Sequence, residues 1–185
     1  MCYSINVGLM LEYNDAGSHI DWIKKELEKA ERENYLIWIM GHIPPGDFAC
    51  IAKWSVRLNA LVERYQHIIR FNAFGHDHRE LFEVTRSLTN NKPISVNYVA
   101  GSLGTYMGVN PSVRIYTMHS RYHVPLSFKI YEFDLNSANS GNPVFREYTD
   151  FMHEFKMKSL SPTEHAVVAE KIYDSEVEAL KFIRF

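Results

Sequence analysis

Two short apolar segments of the sequence each lead directly into a glycine and a histidine. The segment YLIWIM precedes Gly-His at 41–42, and the segment IIRFNAF precedes Gly-His-Asp-His at 75–78. Imidazole is the commonest metal ligand among side chains, and zinc in particular binds histidine nitrogen. The repeated pattern therefore predicts a metal site built from His42, His76 and His78.

The apolar segments are predicted β-strands, and 35–40 has the unbroken apolar character of a strand buried on both faces. Residues 51–67 between them have the spacing of an amphipathic helix. A helical crossover makes two strands parallel, so their carboxyl ends would meet at the same edge of a sheet. This places His42 beside the second histidine-bearing turn.

Within that turn, alternate residues of an extended backbone point the same way. His76 and His78 are therefore expected to face one site, with Asp77 directed away. Any one of these histidines alone would more often be structural than a ligand. The other six histidines lack this context and are interpreted as surface or core residues: His19, His67, His119, His123, His153 and His165.

The remaining elements would position and cover this edge. Ser18 and Asp21 resemble a capping box at the start of an amphipathic helix. Four short strands are predicted between 81 and 135, followed by a linker at 136–143 and helices at about 144–157 and 162–182.

Composition limits the function further. The chain has 185 residues, 46% hydrophobic and 23% charged, as is usual for one soluble globular domain. Its net charge of -2 argues against nucleic-acid binding through a basic face. The sequence contains neither an apolar run of roughly 20 residues that could span a bilayer nor, at its start, the pattern of a signal peptide.

Two questions stay open from the residues alone. A hydrolytic two-metal centre also needs carboxylates, above all a bridging one, and no Asp or Glu stands in a matching context. Cys2 and Cys50 could be two buried thiols or a disulfide, which would imply an oxidising compartment.

Three segments resemble a known family. They are GHIPPG at 41–46, AFGHDH followed by ELFEV at 73–84, and VNYVAGSLGTYMGVNPSVRIY at 96–116. In combination they are similar to acid sphingomyelinase and the sphingomyelinase-like phosphodiesterases, which are calcineurin-like metallophosphoesterases. The resemblance extends from the first residues to about position 162.

The resemblance implies a function and a set of roles. The family binds two zinc ions and hydrolyses sphingomyelin to ceramide and phosphocholine, or cleaves a related phosphodiester. By position, His42 and His76 would bind one zinc and His78 the other. Tyr106 would lie near the substrate, and Cys2 and Cys50 would form a disulfide. An extracellular or lysosomal location is implied as well.

The resemblance also implies a fold, although some motifs of the family are absent from this sequence. The expected class is α/β (α+β layered): residues 1–135 would form the C-terminal half of a metallophosphoesterase β-sandwich flanked by helices, and 136–185 a small helical region. The Asp-x-His and Gly-Asn-His motifs of the family are not found, and no Gly-Asp stands at the exit of a predicted strand as the family's does. We therefore expect the chain to be inactive alone, with the missing N-terminal half as a partner. The alternatives are a non-catalytic interaction protein and, ranked last, an unrelated zinc-binding module.

Overall fold

A computed structural model describes residues 3–4 and 15–183. The strands are β1 (Ile37–Met40), β2 (Ile69–Phe74), β3 (Leu81–Arg86), β4 (Pro93–Val99), β5 (Ser112–Met118), β6 (Pro125–Phe133) and β7 (Phe145–Thr149). The helices are α1 (His19–Glu33), α2 (Ala52–Arg64), α3 (Leu135–Asn139), α4 (Phe151–Glu154), α5 (Pro162–Asp174) and α6 (Glu176–Ile183). None of the helices in the described part of the chain has the length and apolarity to cross a membrane.

The strands form two sheets. The first has the order β1-β2-β4-β3, in which β1, β2 and β4 are parallel and β3 is antiparallel to β4. The second is antiparallel, with the order β5-β6-β7. The α2 crossover makes β1 and β2 parallel, as the sequence predicted, and the layered mixture of sheets and helices confirms the predicted fold class.

Apolar side chains bury both faces of the first sheet. On one face, α1 and α2 contribute residues that include Leu27, Leu58 and Val62. On the other, Phe71 and Tyr98 of the first sheet pack with residues of the second sheet, α4 and α5. Because successive side chains of a strand point to opposite faces of the sheet, each strand contributes residues to both of these apolar layers.

Strand β1 is not buried on both faces, so that prediction is wrong. Trp38 and Met40 are 47% and 77% exposed. Ile37 and Ile39, which alternate with them, pack on the α1–α2 side. The strand lies at an edge of the sheet among the described residues, and on its exposed face Trp38 Nε1 donates to His123 C=O at 3.0 Å.

The C-terminal region also differs from expectation. The helix predicted at 144–157 is wrong: β7 occupies 145–149 and pairs with β6, and only the short α4 follows it. The predicted linker overlaps α3, whose first turn is capped by Asp134. The division of the chain at 135 stays a prediction, although β7 extends the sheet across that boundary.

Candidate metal centre

The backbone brings His42 and His76 together at the carboxyl ends of β1 and β2. Beyond Met40, Gly41 N–H still donates to Ala73 C=O at 3.0 Å, and Gly75 N–H donates to His42 C=O at 2.9 Å. Glycine is required at 41, since a Cβ there would lie 2.8 Å from the Phe74 ring. The parallel pairing therefore continues into both turns and fixes their separation.

The two imidazole rings are in contact. His42 Nε2 and His76 Nδ1 lie 3.4 Å apart, and the ring planes are nearly perpendicular, at 83°. Two nitrogens each bound about 2.0–2.1 Å from a tetrahedral zinc would be separated by roughly 3.3–3.4 Å. The same separation also suits a long imidazole–imidazole hydrogen bond. These two residues thus fit a shared zinc ion in both donor type and spacing.

His78 lies in the same turn and faces another neighbour. Its ring is 5.8 Å from the Tyr106 ring, at 75°. Its Nδ1 is buried and has no hydrogen-bond partner among the described residues. A buried imidazole nitrogen without a partner is unfavourable unless water or an ion satisfies it, so His78 also has the chemistry of a ligand.

The expected strand-like alternation of His76 and His78 is wrong. Strand β2 ends at Phe74, and the histidines lie in a bend with left-handed backbone, φ +85° at His76 and +60° at His78. Their rings are directed by this turn, not by a pleat. Within residues 3–4 and 15–183, no three His, Cys, Asp or Glu side chains are grouped closely enough to bind one metal ion. Of the three predicted ligands, His42 and His76 contact each other, whereas the ring of His78 contacts Tyr106.

Asp47 lies beside His76, and two further acidic side chains, Glu83 and Asp77, are close enough to interact electrostatically with Asp47. Asp47 Oδ1 lies 3.9 Å from His76 Nε2. Burial raises the pKa of Glu83 to about 7, and the charges of Asp47 and Asp77 raise it further against the hydrogen bond from Asn97. Partial burial and the Asp47 charge raise the pKa of Asp77 as well, and the nearby His76, Arg79 and His78 oppose this. The negative potential of these carboxylates favours a cation beside the histidines.

Sequence reasoning missed Asp47 and Glu83. Asp47 follows GHIPPG directly, and this adjacency was the available signal. Glu83 accepts a hydrogen bond from Asn97 Nδ2 at 3.1 Å, and Asn97 in turn accepts one from Asn72 at 3.1 Å. These three polar side chains lie next to one another across the sheet, at positions where apolar residues are expected. Their adjacency depends on the pairing of the strands, so the sequence alone does not show it.

A buried ion pair holds the Tyr106 loop beside the histidine turn. Glu80, two residues after His78, pairs with Arg114 of β5. Glu80 also accepts hydrogen bonds from Gly101 N–H (2.9 Å) and Ser112 Oγ (3.0 Å). Because Glu80 joins the turn to both flanks of the 102–111 loop, the location of Tyr106 near His78 follows from these contacts. Tyr106 itself is 74% exposed.

The predicted Cys2–Cys50 pairing falls partly outside the described residues, because Cys2 is not among them. Cys50 is buried, and its Sγ accepts a hydrogen bond from Ser55 Oγ at 3.2 Å. Tyr3 forms an isolated antiparallel bridge with Cys50. The main chain next to Cys2 is thus adjacent to Cys50, and the disulfide stays a prediction.

A helix-flanked sheet whose parallel strands end in adjacent histidines defines an α/β protein with a candidate metal centre. No family model matches the chain. Among curated proteins, it is 31% identical over 190 residues to sphingomyelin phosphodiesterase 1 of Caenorhabditis elegans, covering 100% of this chain and 34% of that protein. It is 36% and 34% identical over 143 residues to the sphingomyelin phosphodiesterases of Bos taurus and Homo sapiens, each covering 75% of this chain.

The chain belongs to the sphingomyelin phosphodiesterase-like hydrolase family. It spans about a third or less of the length of these relatives, namely 34%, 23% and 22%.

Proposed function

We propose that this chain carries the histidine-bearing part of a zinc-dependent phosphodiesterase that acts on sphingomyelin or a related phosphodiester. The observation that carries the proposal is the 3.4 Å approach of His42 Nε2 to His76 Nδ1 at the ends of adjacent parallel strands. The names of the relatives supply the substrate class. A phosphodiesterase of this type requires a cation next to the scissile phosphate, and the acidic surroundings of the pair favour one.

Each predicted site residue has a role in this proposal. His42 and His76 hold one zinc through the two nitrogens that face each other, and His78 contributes its buried nitrogen to a second. When bound, zinc would act as a Lewis acid toward a phosphoryl oxygen. The exposed ring of Tyr106, beside His78, would attract a choline head group through a cation–π interaction.

Two imidazoles are too few ligands for a hydrolytic centre. A catalytic zinc site normally has three protein ligands, and the described residues include no group of three His, Cys, Asp or Glu side chains that could hold one ion. We propose that further ligands, carboxylates among them, complete the site, and that the 185 residues alone are therefore inactive or nearly so. An extracellular or lysosomal location and a Cys2–Cys50 disulfide complete the proposal.

Calorimetric zinc titration of the purified chain tests the metal role. We expect saturable zinc binding that His42→Ala and His76→Ala each weaken at least tenfold, because each removes one of two facing donors. The exposed His153 supplies the matched control, and His153→Ala should bind zinc like the parent chain. Equal affinity in all four proteins would overturn the assignment.

Hydrolysis of a chromogenic phosphodiester and of sphingomyelin in detergent micelles tests the inactivity. We expect no zinc-dependent turnover by the 185-residue chain. Turnover that His76→Ala abolishes would contradict this and would show that the chain needs no further ligands.

The second candidate is a non-catalytic protein that binds a partner through its exposed sheet edge. The observation in its favour is the exposure of Trp38 and Met40 on β1, since sheet edges and apolar patches of this kind mark interaction surfaces. Metal analysis separates the two functions. A stable fold that binds no zinc would favour the interaction protein.

A further inference from the structure

Asp47 lies close to the ring nitrogen of His76 that points away from His42. Its Oδ1 is 3.9 Å from His76 Nε2, and its side chain is only 9% exposed, against 21% for His76. The opposite ring nitrogen, Nδ1, is the one that approaches His42. The imidazole of His76 thus has a carboxylate on one side and a second imidazole on the other.

The loop holds Asp47 in place. Asp47 Oδ1 accepts a hydrogen bond from Ala49 N–H at 2.6 Å, and Asp47 C=O accepts one from Cys50 N–H at 2.9 Å. The preceding Gly46 N–H donates to Ser55 Oγ of α2 at 3.0 Å. Pro44 and Pro45 are buried and fix the backbone before it. A carboxylate anchored in this way cannot easily turn away from the ring.

A neutral imidazole carries its proton on one nitrogen only, and the partner of that nitrogen selects the tautomer. A carboxylate near Nε2 favours the form with the proton on Nε2, because the N–H then points toward negative charge. The lone pair is left on Nδ1, the nitrogen that faces His42. The carboxylate thereby makes Nδ1 the better donor to a cation.

We infer that Asp47 is a positioning residue, which holds His76 in the Nε2–H tautomer with its Nδ1 lone pair directed at the ion shared with His42. The inference rests on the proposed zinc role of His76 for its function. The tautomer of His76 itself does not depend on a bound metal and can be measured in the metal-free protein. Closure of the 3.9 Å gap to a charge-assisted hydrogen bond of about 2.8 Å would accompany ion binding.

The experiment records two-bond ¹⁵N–¹H correlations of the histidine rings in the metal-free, full-length chain. The pattern of these correlations distinguishes the two neutral tautomers of an imidazole. We expect the parent His76 to be predominantly Nε2–H and Asp47→Asn to shift it toward an even mixture. Asparagine preserves the shape of the side chain and can still accept from Ala49 N–H. A parent His76 that is predominantly Nδ1–H would overturn the inference without any variant.

Zinc titration of the same proteins provides the second readout. We expect Asp47→Asn to weaken zinc binding about tenfold or more, as is usual when the partner of a ligating histidine is lost. Asp77→Asn is the matched control: it removes a carboxylate from the same turn, and it should change the affinity less than about fivefold, as a screened charge does. If Asp47→Asn changes neither the tautomer of His76 nor the affinity for zinc, the inference is wrong. A chain that binds no zinc but shows the Asp47-dependent tautomer would contradict the proposed function alone.

Discussion

At the scale of single residues, the histidine turn is built from strained backbone. His76 and His78 both have positive φ, which few residues other than glycine adopt. Such conformations cost on the order of 1 kcal/mol or more each and persist where the surrounding contacts fix them, commonly at functional sites. In this turn the constraint comes from the Gly75–His42 backbone bond and from Glu80. It gives the two rings different directions, toward His42 and toward Tyr106.

Glu83 provides a test of the electrostatics near this turn. Its folded pKa is about 7, above the ordinary 4.5, because burial disfavours its charge. The folded state therefore binds more protons than the unfolded state between about pH 4.5 and 7, and stability falls as the pH rises through that window. Glu83→Gln abolishes this loss. We expect the variant to gain stability over the parent by on the order of 1 kcal/mol at pH 8, after allowance for solvent access.

Urea unfolding of both proteins at pH 5 and pH 8 measures the difference. At pH 5 the parent carboxyl is mostly protonated and resembles the amide, so the two curves should nearly coincide. The pKa of the buried His165 is lowered to about 4, chiefly by desolvation, and its titration is common to both proteins. An equal stability difference at the two pH values would contradict the assignment.

At the scale of elements, the start of α1 shows how local pattern can select the wrong residue. Ser18 was the predicted cap, but it has φ +51° and its side chain makes no capping hydrogen bond. Asp15 accepts from Ile20 N–H at 2.8 Å and from Asp21 N–H at 2.9 Å. Desolvation raises the pKa of Asp15, but these two bonds, together with the charge of Arg57, lower it on balance.

Replacement of Asp15 by alanine should cost about 1 kcal/mol, the usual value of a helix N-cap. The buried face of α1, which includes Ile20 and Leu27, belongs to the core, so global unfolding reports this loss. Ser18→Ala is the matched control and should change stability by less than about 0.5 kcal/mol. Chemical denaturation of the three proteins checks the order. A larger loss in Ser18→Ala than in Asp15→Ala would restore the serine as the cap.

Helices and strands were predictable wherever the apolar residues recur with a clear helical or strand period. The apolar face of α1, the α2 crossover and the alternating strands β3 to β6 were all confirmed. The left-handed turn at 75–78 was not, because positive φ at histidine follows from tertiary contacts that no local pattern records. For the same reason the sequence pattern directed the rings of His76 and His78 to one side, whereas in the structure His76 contacts His42 and His78 contacts Tyr106.

At the scale of the whole molecule, the errors concern which surfaces are covered. The apolar run of β1 suggested burial on both faces, yet Trp38 and Met40 are exposed at the sheet edge. Phe145 and Tyr148 were assigned to a helix, yet they lie in β7, whose pairing with β6 depends on residues distant in sequence. Burial and strand pairing are properties of the assembled layers, so composition alone could not predict them.

The pairing of β7 makes the division at residue 135 testable by truncation. Residues 1–135 retain both sheets except β7, but they lose half of the core cluster between the sheets. Five of its ten buried side chains come from later positions: Phe151, Phe155, Met157, Leu160 and Val168. At about 1.5–3 kcal/mol for each buried side chain, their loss amounts to roughly 7–15 kcal/mol.

That loss equals the entire stability of a typical domain, about 5–15 kcal/mol. We therefore expect the chain 1–135 to show no cooperative unfolding transition and no near-ultraviolet circular dichroism. Truncation after residue 174 removes only α6, which contributes no buried residue among those described and packs on the core through the partly buried Phe182. This control should unfold cooperatively with a modest loss of stability. A cooperative transition in the 1–135 chain would instead establish the first 135 residues as an independent folding unit, with the helical region as an appendage.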